Sequence, residues 1–546
     1  FVPSRAPVLP DGRAVLPPLD ETDLAMVAGN ISAGGSAGIG AGAGVAVVAK
    51  TTEAYVGENA VVDARANRAG VEVHTGAFTV GTEAVPEMTG TLTFADNGAD
   101  PDTITRASGS WTDDKFEAGQ TISVAGSEDN DGTYLIDAIS GDGRTLTLNA
   151  DNALTAEAGT ADVGVTMLMG ADGSVGAPGG GATDLDGDGT PDVGGDSLST
   201  GRSSTAEKRT VKGVAVTAVS SADIKTIAAS VGGAGSVAVN VSGSVTVLTS
   251  RTLAHVDEGA RINARNDEAE GTLQSVLVAA GNDAYHLGVA AAAGGSGAVA
   301  VTPGADVTVI TNTTRAYVDD GAVVEAERDI GVVAHASEEV LSVSAGAAIF
   351  GTVAVGGAFG VIVIDTTTEA FIGDDDGTDG EGAVVRAGGN VLVSAEDDTE
   401  VLLIAGSLGA GIGAVGVGGS VGVTTISKDT EAFVGHHSVV DAKGNSTDLT
   451  NVYDGGMDGS GFTDLSARGL VVQAASSEDV TAVAASAGVG LYAGLAGGVT
   501  VEVIDSDTAA WIGAYARVNQ DTTGRNAGQS VHVVAVNDLS SFTFAG

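Results

Sequence analysis

Cysteine is absent from the 546 residues, which removes disulfides and thiolate metal ligation as ways of holding the chain together. Aromatic residues make up only 4%, too few for the thick aromatic core of ordinary globular domains. Basic residues are scarce as well: 24 Lys and Arg stand against 71 Asp and Glu, a formal charge of −47. Such a chain repels nucleic acid and anionic lipid, so neither is expected as a partner. It suits surroundings rich in salt or divalent cations, where carboxylates are screened or coordinated. The opening FVPSRAPVLPDG has no basic n-region and no apolar signal core, so Phe1 reads as a processed or cut start.

What the sequence does have is small residues. Glycine alone accounts for 83 positions, and the 43% hydrophobic content is mostly Val and Ala. Burial must then come from many thin layers of small side chains, as in a solenoid. Val401 to Val423 carries no charge and is long enough for a spanning helix. Nearly half of it is Gly or Ser, and similar segments recur beside Val/Thr alternation, which suits buried strands better. No membrane span is expected.

One phrase returns six times: TEAYVG from Thr52, TLAHVD from Thr252, TRAYVD from Thr314, TEAFIG from Thr368, TEAFVG from Thr430 and TAAWIG from Thr508. Each follows a Gly/Ala/Ser segment that often ends in alternating residues, and each leads through a turn into a V-x-A strand such as AVVDA at Ala60 or SVVDA at Ser438. Alternation is clearest at Val499, Val501 and Val503, with Thr500 and Glu502 between them, which puts Val on one face and polar groups on the other. From Thr252 the anchors lie 62, 54, 62 and 78 residues apart. That spacing predicts units of about three coils of roughly 20 residues each. The extra length falls in Gly/Asp-rich turn material, Gly373 to Gly382 and Gly444 to Phe462. The Gly-rich strands lack bulk and are expected to allow close backbone approach in a flattened stack.

The resulting fold class is all-β: a repetitive parallel β-solenoid, or β-helix, with an inserted small β-barrel or β-sandwich domain. Residues 1–28 read as a Pro-containing arm or linker, 29–75 as the first solenoid repeat, 76–170 as the inserted domain, 171–209 as a Gly/Asp-rich linker and 210–546 as further repeats.

The succession of Gly/Ala segment, Val/Thr strand, T-x-A-aromatic phrase and V-x-A strand resembles the repeats of giant leukotoxin-like filamentous adhesins of Gram-negative bacteria. His255 in the aromatic position is a small departure. The resemblance implies an exported, extracellular or cell-surface rod with a role in attachment or biofilm matrix, not an enzyme. A surface glycan or a neighbouring cell is the partner it implies. The closing SSFTFAG matches the start of a new unit, so end-to-end self-association into a filament is expected. The alternatives are a monomeric adhesin segment that binds carbohydrate or a host surface through its insert, and a glycan-active β-helix enzyme.

The sharpest local motif is DLDGDGTPD, which sets Asp184, Asp186, Asp188 and Asp192 at alternate positions around Gly189, with Asp196 just beyond. Alternate carboxylates converge on a hard cation and the glycine permits the turn, so a structural calcium ion is expected there. Asp374 to Asp376 with Asp379, and Glu128, Asp129 and Asp131, lack that spacing and read as polar turns. His74, His255, His286, His335, His436, His437 and His532 are scattered; a shared site at the adjacent His436 and His437 needs a turn. Asn30, Asn240, Asn312 and Asn445 lie in N-x-S/T sequences.

Overall fold

The computed structural model describes residues 20–169 and 202–546, apart from short stretches such as 83–86, 150–153, 265–269 and 376–379. Its described residues form two compact units, one of residues 1–78 with 206–546 and one of Thr79–Thr205.

The larger unit is a parallel β-solenoid of three sheets. The first sheet stacks Asp20–Gly34, Gly213–Ala234, Ser275–Ser296, Ile330–Ile349, Val391–Gly411, Gly469–Gly490 and Ser530–Ala545. The second stacks Ala37–Val56, Val237–Val256, Val299–Val318, Val353–Ile372, Val415–Val434 and Ala493–Ile512. The third is made of short strands, from Val61–Val62 to Arg517–Val518. One coil is therefore a long strand, a tight turn, a second long strand and a short one.

The expectation of three coils per repeat is corrected by this register. Thr52, Thr252, Thr314, Thr368, Thr430 and Thr508 are direct neighbours across the second sheet. Each repeat is thus one coil. The Gly/Ala segments continue as extended strand instead of turning, so a strand of about 20 residues replaces a whole expected coil. The array also begins inside the segment expected as an arm, because Asp20–Gly34 already pairs with Ser220–Ala234.

Three physical zones follow one another through the coil. Where the third sheet closes the section, Val, Ile and Ala from all three sheets pack into one cluster, including Val256, Ile262, Val324, Val385 and Val472. Farther along, the two long sheets face each other across a second cluster with Ile224, Leu248, Ile310, Ile364 and Leu403. Beyond it the sheets pinch together. A Cβ at Gly416 would lie 2.0 Å from the Val489 carbonyl oxygen and 2.2 Å from that of Gly409, so only glycine permits this approach, as the Gly-rich strands led one to expect.

The alternating valines turn outward. Val499, Val501 and Val503 are exposed, whereas Glu502 shares its inward column with the fully buried Thr246, Thr308 and Thr424. The interior between the two long sheets takes Thr, Ser and Ala together with Ile and Leu, Ile362 standing in that same column. Outward valines such as Val501 and Val423 instead pack against each other in neighbouring coils, about 4.8 Å apart along the ladder.

The inserted unit is a closed antiparallel barrel built from Glu87–Ala95, Thr103–Arg106, Thr121–Ala125, Gly132–Ile139, Thr145–Leu148 and Glu157–Met169. Leu92, Phe94, Ile104, Phe116, Ile122 and Leu146 fill its core. Trp111 is also fully buried, and its indole Nε1 donates to the Arg144 carbonyl at 3.0 Å. In the solenoid, the extra length after Gly444 folds as an antiparallel hairpin, Leu449–Asp458 with Gly461–Ala467.

Candidate functional sites: an aromatic ladder and a buried charge cluster

The anchor phrase gives each coil one outward ring, three residues after the inward threonine. Tyr55, His255, Tyr317, Phe371, Phe433 and Trp511 stack in a continuous ladder, with ring centroids 5.2, 4.8, 4.8, 4.8 and 4.3 Å apart and planes within 8° of parallel. His255 keeps the stack. Its Nδ1 lies 2.5 Å from Asp257 Oδ1 and its Nε2 3.2 Å from Glu53 Oε1, so two carboxylates orient the imidazole.

Carboxylates crowd beside this ladder. Glu53, Leu253, Arg315, Glu369 and Glu431 follow one another in register, and Arg315 Nη2 donates to Glu369 Oε1 at 2.8 Å. Among the described residues no cation pairs with Glu431 in this way. Burial, reinforced by Asp429, Glu369, Asp375 and Asp507, pushes its carboxyl up to about 7.

A second group of charges lies inside the solenoid. Lys428 projects inward from the second sheet with its side chain fully buried, and its Nζ is 2.9 Å from Asp397 Oδ1 and 3.2 Å from Glu478 Oε1. The same nitrogen donates to the backbone oxygens of Asp397 and Ser477 at 3.1 and 3.0 Å. Thr368 Oγ1 donates to Asp397 Oδ2 at 2.7 Å. Ser506 Oγ donates to Glu478 Oε1 at 2.9 Å. Glu338, buried one coil away, accepts from Asn312 Nδ2 at 2.7 Å and from Thr399 Oγ1 at 3.2 Å.

Environment drives these carboxyls apart. Burial, with the neighbouring Asp397 charge, raises Glu338 well above the usual range. Burial also opposes ionisation of Asp397, but Lys428 and the Thr368 hydroxyl override it and hold that group low. Lys428 is disfavoured as a cation by burial and held charged by Asp397, Glu478 and Glu338.

Other buried polar groups lie apart from this cluster. Asp306 accepts from Ser244 and Ser342 hydroxyls, each at 2.5 Å, and burial raises its carboxyl. His286 Nδ1 lies 3.0 Å from the Ile224 carbonyl, and burial lowers the ring to about 4. His335 pairs with Glu396 at 3.6 Å; burial works against its charge, and the carboxylate holds it up.

The expected calcium ligands Asp184, Asp186, Asp188, Asp192 and Asp196 lie outside the described residues, as do Glu128, Asp129, Asp131, Asp376 and Asp379. Asp374 is described, and its N–H donates to Asp320 Oδ1 at 3.1 Å. Among the described residues no three His, Asp or Glu side chains are grouped to hold a metal ion. His436 and His437 do occupy a turn, but the His437 ring stacks on Tyr515 at 5.0 Å and His436 Nδ1 accepts from the Ala514 N–H at 2.9 Å. Of the N-x-S/T asparagines, Asn240 and Asn312 are buried and closed to glycosylation in the folded chain, while Asn445 is exposed. Val401 to Val423 spans two strands and their turn, and among the described residues no helix is long and apolar enough to cross a membrane.

The Lys428 cluster escaped the sequence reading, although a signal was there. Lys50 and Lys428 both stand two residues before an anchor threonine, a position that strand alternation turns inward with that threonine.

Compared with known proteins, the chain matches no family model, no curated protein and no solved structure.

Proposed function

We propose that this chain is a structural segment of an extracellular rod that assembles end to end, in cell-surface attachment or matrix. One observation supports the reading above others: all three sheets repeat coil after coil in parallel register. Among the described residues, Asp20–Gly34 and Ala37–Val56 pair on one side only, as do Ala493–Ile512 and Ser530–Ala545 on the opposite end. An open edge beside half-exposed apolar side chains is a template for one more coil. Opposite edges of one stack are complementary, so copies joined this way form an open head-to-tail array. The net charge of −47 keeps such rods apart laterally at low salt. In this reading calcium at Asp184 to Asp196 stiffens the segment after the insert, and a surface glycan or neighbouring cell is the outer partner.

Electron microscopy of the purified chain, with and without a calcium chelator, tests the proposal. Long uniform fibres with an axial repeat of one chain are expected, and their loss on chelation would make calcium a structural partner. Isolated short rods in both conditions would overturn end-to-end assembly.

A further inference from the structure

A chain with no cysteine that serves outside a cell lacks the usual covalent staple. The Lys428 cluster has the parts of another one. A primary amine and a carboxyl are in contact at 2.9 Å with both side chains fully buried. They sit on consecutive strands of one coil, Val391–Gly411 and Val415–Val434, which belong to opposite sheets. The amine does not reach Asp397 Oδ1 with hydrogen-bond alignment, and that oxygen accepts no hydrogen bond. Two further buried carboxyls, from the coils before and after, flank the pair.

We propose that Lys428 and Asp397 condense to an intramolecular amide that ties the two long sheets together across the interior of the solenoid. This goes beyond assembly of the rod and does not depend on it.

The neighbours supply the acid and the base. Glu478, 3.2 Å from Nζ, takes a proton from the ammonium and leaves a neutral amine beside Asp397. The freed nitrogen lone pair attacks Asp397 Cγ, forming the C–N bond. Glu338, which burial and the Asp397 charge raise well above the usual carboxyl range, stands on the adjacent strand two residues past the register partner of Asp397 and delivers its proton to the carboxyl oxygen that leaves. The C–O bond breaks and water departs. That water carries one Asp397 oxygen and, in net count, two of the three ammonium protons; the third stays on the amide nitrogen. Glu338 and Glu478 end with the single proton they held between them at the start. No oxidant or cofactor is required.

Intact-mass measurement of the full chain, followed by peptide mapping, tests the proposal. The expected mass is one water below that of the sequence, with a branched peptide joining Lys428 to Asp397. Glu338→Gln keeps the size of the side chain and removes the acid; the folded variant is expected to recover the full sequence mass. Lys428→Arg separates this reaction from dehydration at an Asp-Gly bond elsewhere, and is also expected to show the full mass. A wild-type chain at full sequence mass overturns the proposal. So does a missing water that persists in Lys428→Arg.

Discussion

Phe433 lies flat against Trp511, with ring centroids 4.3 Å apart and planes within 5°. These two rings come from anchor phrases 78 residues apart, the longest interval between successive coils after the second, yet their spacing is the tightest in the ladder. The hairpin Leu449–Asp458 with Gly461–Ala467 takes up the added length outside the stacked sheets. Coil register is therefore set by the strands and is indifferent to what the rim inserts.

The ladder should be weighted toward its middle. Phe433 is 3% exposed and has a ring on each face, whereas Tyr55 is 58% exposed and has one. Phe433→Ala is expected to cost about 3 to 5 kcal/mol, as for a buried Phe truncation. Tyr55→Ala should cost about 1 kcal/mol, the scale of one aromatic pair. Equilibrium denaturation of the two variants checks this; equal losses would mean that the stack does not act through burial.

The pinched edge of the solenoid is equally specific. Gly416 and Gly419 stand in the same strand, but a Cβ at Gly416 would lie 2.0 Å from the Val489 carbonyl oxygen, and at Gly419 it would meet nothing within 4 Å. Gly416→Ala should destabilise by about 3 kcal/mol or more, because a backbone oxygen has nowhere to go. Gly419→Ala should be neutral or stabilise by about 0.5 kcal/mol through the unfolded chain. Thermal unfolding of both variants decides; a tolerated Gly416→Ala would refute backbone contact between the sheets there.

Much of this architecture was legible in the sequence. The T-x-A-aromatic phrase marked every coil because its threonine and ring fall on opposite faces of one strand, and that is a period-two fact visible in any sequence. The close approach at the glycine segments was legible for the same reason: a strand without side chains has no other use in a stack. Two things were not. Alternation at Val499, Val501 and Val503 says that two faces differ, but it is silent on which one is inside, and here the valines face out. The pairing of Lys428 with Asp397, Glu338 and Glu478 depends on three different coils, so it appears only once each repeat is known to be a single turn.

Among the described residues, three inward threonines of the anchor phrase, Thr252, Thr314 and Thr430, carry a hydroxyl without a hydrogen-bond partner, unlike Thr368, which donates to Asp397. Thr314 is fully buried and its Oγ1 has no hydrogen-bond partner. A buried hydroxyl left unpaired costs about 1 to 3 kcal/mol. Thr314→Val preserves the β-branched shape and removes that oxygen, so it is expected to stabilise the chain by about 1 kcal/mol in urea titration. A comparable loss instead would show that the hydroxyl is bonded to an internal water.

The carboxylates beside the ladder make stability depend on pH in a definite direction. Glu431 is pushed from its ordinary 4.5 to about 7, first by burial and then by Asp429, Glu369, Asp375 and Asp507. The folded chain therefore holds a proton on Glu431 that the unfolded chain has released, throughout the window from about 4.5 to about 7. Where the folded state binds more protons, stability falls as pH rises. The cost is absent below the window and complete above it. Thermal midpoints measured from about pH 5 to about pH 8 should decline, and Glu431→Gln, which cannot ionise, should flatten part of that decline and raise the midpoint at the upper end. Added salt should act in the same direction on the wild type by screening the neighbouring charges. The difference between wild type and variant isolates this residue from Asp306, which burial also raises. Parallel curves for the two proteins would mean that Glu431 is not held protonated by its neighbours.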